Sequence, residues 1–311
     1  MMLRVPEAPV LGRVLDVGAG PGPVSLALLD AGAGRVISCD RSAAALGMAR
    51  SIASDRGYTL ETRQWDALTS TGIPSGPFDL IAMGHTLNEL WAGHPDRIAL
   101  RVSLLVKLCA ELAPDGRLLF FEPALMATAQ EAIRVRDGLL QGGFSVEMPC
   151  IWQGSCPALP DATCHGDFEW NPPRETVRLM HAARIGRETL KMAWFVMRPR
   201  ASGGAGAAPA MTAAATAPGA PAGPTPDGGS YRVVSDPLLS KSGRIRYLIC
   251  GPMGRFALSA PKAMESPDMK PFFRLRRGDV VRFTGARKRE TGWGLDDTGT
   301  LKIIERLPRM G

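Results

Sequence analysis

The chain has 311 residues, enough for one large domain and a small one. With 45% hydrophobic and 22% charged residues it is neither a disordered nor a fibrous chain, and no apolar run reaches the length of a membrane span. The net charge of +7 is concentrated: from Gly229 onward there are 17 Lys and Arg against 8 Asp and Glu, and everything before has 20 against 22. A basic module joined to a near-neutral one points to a polyanionic partner, nucleic acid first.

Residues Met1–Leu11 lack the basic-then-apolar order of a secretory signal, so a cytoplasmic location is expected. Arg13–Val17 reads as a buried strand entering a glycine-rich turn, and Pro23–Ala31 as a helix. Arg35–Cys39 is a second strand, and Ser42–Arg56 a helix with Ser42 as its N-cap. Phe78–Met83 and Arg117–Phe121 are further strands, with a helix over Asp96–Leu112 between them and a late strand at Lys191–Met197. Such alternation predicts a doubly wound α/β sheet over residues 1–200.

Residues 201–229 are mostly Ala, Gly, Pro, Ser and Thr, the composition of a linker. Beyond it, Tyr231–Val234, Arg244–Ile249, Arg255–Ser259, Asp279–Thr284 and Leu301–Ile304 read as short strands divided by turn residues. Residues 230–311 are therefore expected to form a small, OB-like β-barrel.

The turn after the first strand reads Asp16-Val17-Gly18-Ala19-Gly20-Pro21-Gly22. Glycines there let the backbone approach a ligand and take conformations closed to other residues. Asp16 precedes the first glycine, where a carboxylate can meet the amino-acid end of a cofactor directly or through water. Asp40 ends the second strand, where it can accept two ribose hydroxyls, and Asp66 follows a third strand within reach of an adenine amine. The pattern resembles class I S-adenosylmethionine-dependent methyltransferases, with Asp16, Gly18, Ala19, Gly20, Gly22, Asp40 and Asp66 as cofactor residues. A dinucleotide site would more usually read GxGxxG and lay pyrophosphate on the helix N-terminus.

Six cysteines divide into two kinds. Cys39 and Cys109 sit in apolar strand and helix contexts and read as core. Cys150, Cys156 and Cys164 fall in a Pro- and Gly-punctuated loop over residues 148–170, a backbone able to wrap a metal. Disulfides are a poor explanation in a chain without a signal. Thiolates favour zinc or iron–sulfur, and the fourth ligand is either Cys250, at the end of an apolar strand, or His165. With Cys250, the metal would join the two domains across the linker.

Taken with Gly84-His85-Thr86-Leu87-Asn88-Glu89-Leu90 after the fourth strand, the elements Pro149-Cys150, Cys156-Pro157, Cys164-His165 and the remote Cys250 resemble the family that includes the mitochondrial Rsm-twenty-two and methyltransferase-like-seventeen proteins and their bacterial relatives. The resemblance implies association with the small ribosomal subunit, a role in assembly or translation, and a 4Fe-4S cluster on Cys150, Cys156, Cys164 and Cys250.

The catalytic residues stay open. Enzymes that methylate base amines typically place [DN]PP[YF] after the fourth strand, and Met83-Gly84-His85-Thr86 stands there instead. Pro149-Cys150 imitates a cytosine-C5 nucleophile, but its cysteine neighbours favour a ligand. His85, Asn88, Glu89 and Glu122 lie near strand ends that face the cofactor, where capping or structural hydrogen bonds are the simpler reading. The expectation is an rRNA methyltransferase, with a non-catalytic assembly factor as the alternative. Arg274, Arg276, Arg277, Arg287, Lys288 and Arg289 are the candidate RNA contacts, with Phe272, Phe273 and Trp293 as stacking or core aromatics.

Overall fold

A computed structural model describes residues 11–69, 71–159, 161–186, 189–200, 225–240, 243–262, 264 and 266–306. Most of the expected linker, residues 201–224, lies outside them. The chain divides into two compact units: Met1–Pro149 with Asp161–Ala201 and Pro308–Gly311, and Cys150–Pro160 with Ser202–Leu307. The cysteine loop expected within residues 1–200 is thus split, its first part belonging to the second unit. Among the described residues no helix is long and apolar enough to cross a membrane.

The first unit opens with β1 (Arg13–Val17), α1 (Pro23–Asp30), β2 (Arg35–Asp40), α2 (Ala43–Asp55), β3 (Glu61–Gln64), β4 (Phe78–Gly84) and α3 (Arg97–Cys109). It continues with β5 (Leu112–Pro123), α4 (Met126–Gln141), β6 (Phe144–Met148), β7 (Gly166–Glu169), α5 (Arg174–Ala182) and β8 (Thr189–Pro199). The sheet runs β3-β2-β1-β4-β5-β8-β6, with β7 paired to β8. Strands β1 to β5 pair in parallel, and β8 joins antiparallel to β5, β6 and β7.

The apolar runs read from the sequence are the central strands: Val14, Leu15, Val17, Phe78, Ile81, Ala82 and Met83 are wholly shielded, as expected for a parallel sheet covered on both faces. Ser42 caps α2, its side chain accepting from the Ala45 N–H at 3.2 Å, a bond worth about 1 kcal/mol. Leu46, Ala49 and Ala53 then turn one face of α2 inward. In such a sheet ligands settle beyond the carboxyl ends of the strands where the order reverses, here between β1 and β4.

The second unit holds β9 (Ser230–Val233), β10 (Leu238–Leu239), β11 (Arg244–Gly251), β12 (Gly254–Pro261), a 3-10 helix (Pro267–Arg274), β13 (Val280–Thr284), β14 (Arg287–Arg289), β15 (Gly292–Gly294) and β16 (Thr300–Glu305). Its path is β14-β15-β12-β11-β9-β13-β16, with β10 on β11. Tyr231, Tyr247, Ile249, Leu258, Met269, Phe272, Val281 and Phe283 fill its core. The expected barrel differs in one respect: among the described residues the path ends at β14 and β16 and does not close. At the β14 end, Arg287, Lys288 and Arg289 are all exposed, and charged side chains on an edge oppose further pairing.

Candidate functional site

A cavity of about 370 Å³ opens at the strand ends of the first unit. Four turns build it: Val17, Gly18 and Gly20 after β1; Asp40, Arg41 and Ser42 after β2; Trp65, Asp66, Ala67 and Leu68 after β3; and His85, Thr86, Glu89 and Leu90 after β4. Three carboxylates face one guanidinium in that lining, so the field favours a cationic ligand and opposes a pyrophosphate.

The three glycines of the turn all have positive φ, 69°, 52° and 85° for Gly18, Gly20 and Gly22, a region other residues enter at a cost. Their surroundings separate their tasks. A Cβ on Gly18 would strike the Thr86 side chain, and one on Gly22 would press on the Ala49 Cβ at 3.0 Å. A Cβ on Gly20 would meet nothing within 4 Å. Gly18 and Gly22 are needed for packing, whereas Gly20 keeps open a space that a ligand can fill. The Gly20 N–H donates to Asp40 Oδ2 at 2.9 Å, and the Ser42 N–H to Asp40 Oδ1 at 2.8 Å. Asp40 is therefore fixed at the cavity wall, each oxygen keeping a further lone pair for a hydroxyl. Asp66 Oδ1 accepts from the Leu68 N–H at 2.9 Å, shaping the turn on the opposite side.

Gly18, Gly20, Asp40 and Asp66 are thus brought together, and Asp16, Ala19 and Gly22 stand behind them. Ala19 is buried, and its N–H donates to the Cys39 carbonyl at 2.9 Å. Asp16 is buried too; its Oδ2 accepts from Ser25 Oγ at 2.6 Å, and Ser25 Oγ lies 2.6 Å from Ser38 Oγ. Asp16 thereby ties β1, α1 and β2, and its Oδ1 accepts no hydrogen bond among the described residues. Burial pushes its carboxyl up to about 6.

Sequence reasoning missed Trp65, Arg41, Ser42, Leu68, Thr86 and Leu90 because nothing in their types marks them; only their places at strand ends do. The segment after β4 is clamped from behind. Glu122 Oε1 accepts from the Leu87 N–H at 2.8 Å and the Asn88 N–H at 3.4 Å. Buried Arg101 donates to the Leu90 and Asn88 carbonyls at 3.0 and 3.1 Å, and to Glu131 of α4 at 2.7 Å. Glu122 and Asn88 therefore shape the wall, while His85 and Glu89 line the cavity. His85 has φ 55°, its ring edge-on to Phe121 at 5.2 Å. Burial lowers its pKa, which favours the neutral imidazole. Thr86 Oγ1 lies within 3.3 Å of the Val17, Gly18 and Gly84 carbonyls, joining the β1 and β4 turns.

Cys39 and Cys109 lie in the core, as their apolar contexts foretold. Burial pushes both thiols up to about 12, which makes them inert core residues. Cys150, Cys156, Cys164 and Cys250 are half-buried. Cys150 and Cys156 share the second unit with Cys250, and Cys164 with His165 belongs to the first. Within the second unit a Cβ on Gly254 would lie 3.9 Å from the Pro157 Cβ, and Gly254 pairs with Gly251, next to Cys250. Among the described residues no group of three or more His, Cys, Asp or Glu side chains is arranged to hold a metal.

The basic residues of the second unit differ in what they already hold. Arg277 donates to the Val234 carbonyl at 2.6 Å and to Asp236 at 3.1 Å. Arg287 pairs with Asp296 at 3.1 Å, and Lys288 lies over the Trp293 ring at 5.2 Å. Arg274, Arg276 and Arg289 are exposed. Phe272 is wholly buried, Phe273 packs against it and Trp293 packs against the core, so these aromatics serve as core.

Residues 14–107 match the family model for a methyltransferase domain. The matched stretch runs from β1 into α3, 94 of the 311 residues. It carries every residue that lines the cavity. Arginine N(omega)-methyltransferase from Streptomyces achromogenes subsp. streptozoticus is 29% identical over 148 residues, 45% of this chain and 39% of that protein. Ribosomal RNA small subunit methyltransferase A from Rhodospirillum rubrum is 35% identical over 88 residues, 28% of each. The chain thus spans well under half the length of either curated relative. Among solved structures, the ribosomal protein L11 methylase from Lactobacillus delbrueckii subsp. bulgaricus superposes with a TM-score of 0.39 at 16% identity, over 64% of this chain and 75% of that one.

Proposed function

We propose that the chain is an S-adenosylmethionine-dependent methyltransferase that acts in the cytoplasm on the rRNA of the small ribosomal subunit. The observation that carries the cofactor reading is the cavity itself. Gly20 leaves a cradle that a Cβ would invade, Asp40 is fixed at its wall, and three carboxylates suit a sulfonium. S-adenosylmethionine supplies a methyl group on a good leaving group, so the chain's task is to align an acceptor. Asp40 would take the ribose hydroxyls and the Trp65–Leu68 turn the adenine. His85 and Glu89 line the same cavity, where an acceptor would approach the methyl group. The basic second unit and the similarity to a small-subunit rRNA methyltransferase support RNA as that acceptor.

We also infer that Cys150, Cys156, Cys164 and Cys250 hold a metal, a 4Fe-4S cluster by the family resemblance and zinc as the alternative. Donor chemistry supports this reading, with four half-buried thiols, three of them in one compact unit, although among the described residues no three donors are arranged around a metal position. Thiolates bind either group well. Bound there, a cluster supplies either a structural staple or a one-electron centre.

A second reading is a non-catalytic assembly factor, favoured by Met83-Gly84-His85-Thr86 where amine methyltransferases carry their acceptor motif. Incubating the full chain with S-adenosylmethionine labelled in its methyl group and with small ribosomal subunits separates the two. Label in rRNA, lost in Asp40→Ala, supports the enzyme; cofactor binding without transfer leaves the assembly factor.

A further inference from the structure

The second unit carries a cavity of about 440 Å³ lined by Pro267, Lys270, Pro271, Arg274, Ile303 and Arg306. Its origin lies in the 3-10 helix over Pro267–Arg274. With three residues per turn, positions three apart share a face. Met269, Phe272 and Leu275 form the inward face and are buried. Pro267 with Lys270, and Pro271 with Arg274, are left on the other two faces. The inward face anchors the helix, so the outward side chains stand on a fixed support.

Two features distinguish this cavity from the rest of the basic surface. Its floor is apolar, made by two prolines and the half-buried Ile303. Its cations are also differently committed. Arg306 donates to buried Asp279 at 3.3 Å and to the Arg274 carbonyl at 3.4 Å, which fixes its guanidinium at the rim. Lys270 and Arg274 form no ion pair among the described residues. Arg277 and Arg287, by contrast, already hold carboxylates, and Lys288 covers Trp293. Asp268 is exposed on the same helix but lies outside the lining.

We propose that this cavity binds one unpaired nucleotide of an RNA strand, its base against Pro267, Pro271 and Ile303 and its phosphates at Lys270, Arg274 and Arg306. A folded apolar floor ringed by cations matches a flat base that carries an anionic backbone, and 440 Å³ is within the size range of small-ligand pockets. A duplex hides its base faces and cannot enter. The inference deepens the RNA-directed reading above and rests on it.

The test is fluorescence anisotropy of the full chain with a labelled single-stranded 12-nucleotide RNA, an abasic strand of equal charge and a duplex. The variants are Lys270→Gln/Arg274→Gln and, as a control of equal charge change at two exposed positions, Arg246→Gln/Lys262→Gln; thermal melting confirms that both fold. The expected results are a loss of tenfold or more for the first pair and under threefold for the control. The salt slope should fall by about 1.4, two phosphates at roughly 0.7 each, and wild type should prefer the base-bearing strand over both the abasic strand and the duplex. Equal losses from both pairs, or equal binding of the abasic strand, would overturn the pocket while leaving the RNA reading intact. No binding of any RNA by wild type would sink both.

Discussion

The two units assemble their candidate sites in opposite ways. In the first, each wall of the cavity is the turn that directly follows a strand, so one short stretch from Val17 to Leu90 supplies the whole lining. In the second, Cys150–Pro160 comes from before β7 and joins strands that begin at residue 230. Sheet order places the first site automatically, because parallel strands all point their carboxyl ends the same way. The second depends on a distant segment docking, and a ligand that binds only the docked form would add its binding energy to that docking. The first site should therefore tolerate loss of the proposed metal, and the docking of Cys150–Pro160 should not.

The largest expected effect follows from that contrast. Cys250→Ala should remove essentially all iron or zinc that copurifies anaerobically with the full chain, and leave S-adenosylmethionine affinity within about threefold. Elemental analysis with acid-labile sulfide, beside calorimetric titration, checks both. About four irons and four sulfides in wild type fit the cluster; one metal without sulfide fits zinc.

Next come the glycines. Gly18→Val drives a branched side chain into Thr86 at positive φ, and should weaken S-adenosylmethionine by about a thousandfold, roughly 4 kcal/mol. Gly20→Ala meets no protein atom, so its melting temperature should change little beyond the cost of positive φ, about 1 kcal/mol. Its affinity should still fall at least tenfold. Melting curves beside titrations separate the two positions.

Glu122 sharpens the account of the first wall. Burial pushes its carboxyl from 4.5 to about 7. A folded-state pKa raised this way gives a contribution that is complete below about 4.5 and lost as pH rises through about 7. The shift corresponds to about 3 kcal/mol at most. Glu122→Gln should flatten that part of the pH–stability curve, and chemical denaturation at pH 4.5, 6 and 8 measures it. The smallest effect belongs to Asp40→Asn, which keeps an acceptor but loses the charge: about tenfold weaker binding of S-adenosylmethionine by titration, near 1.4 kcal/mol.

Much of the first unit was legible in the sequence for a physical reason. Val14, Phe78 and their neighbours are buried on both faces, so they read as unbroken apolar runs, and the glycine turn announces itself by composition. The place of Asp16 was only partly legible: a carboxylate beside a glycine loop does not reveal that one oxygen holds Ser25 while the other has no hydrogen-bond partner among the described residues. Helix α4 was missed because Arg134, Arg136 and Asp137 interrupt the apolar positions Ile133, Val135, Leu139 and Leu140 that it buries. In the second unit the strands were visible, but sheet closure and the commitment of each arginine depend on partners far along the chain. Arg277 and Arg274 are near neighbours in sequence, yet only the first meets a carboxylate.

The measurement that bears most directly on the central claim is calorimetric titration of the full-length protein with S-adenosylmethionine and, separately, with NAD. The account expects a single site for S-adenosylmethionine, weakened in Asp40→Asn and in Gly20→Ala, and no measurable heat with NAD. A site that prefers NAD, or S-adenosylmethionine affinity unmoved by both substitutions, would contradict it.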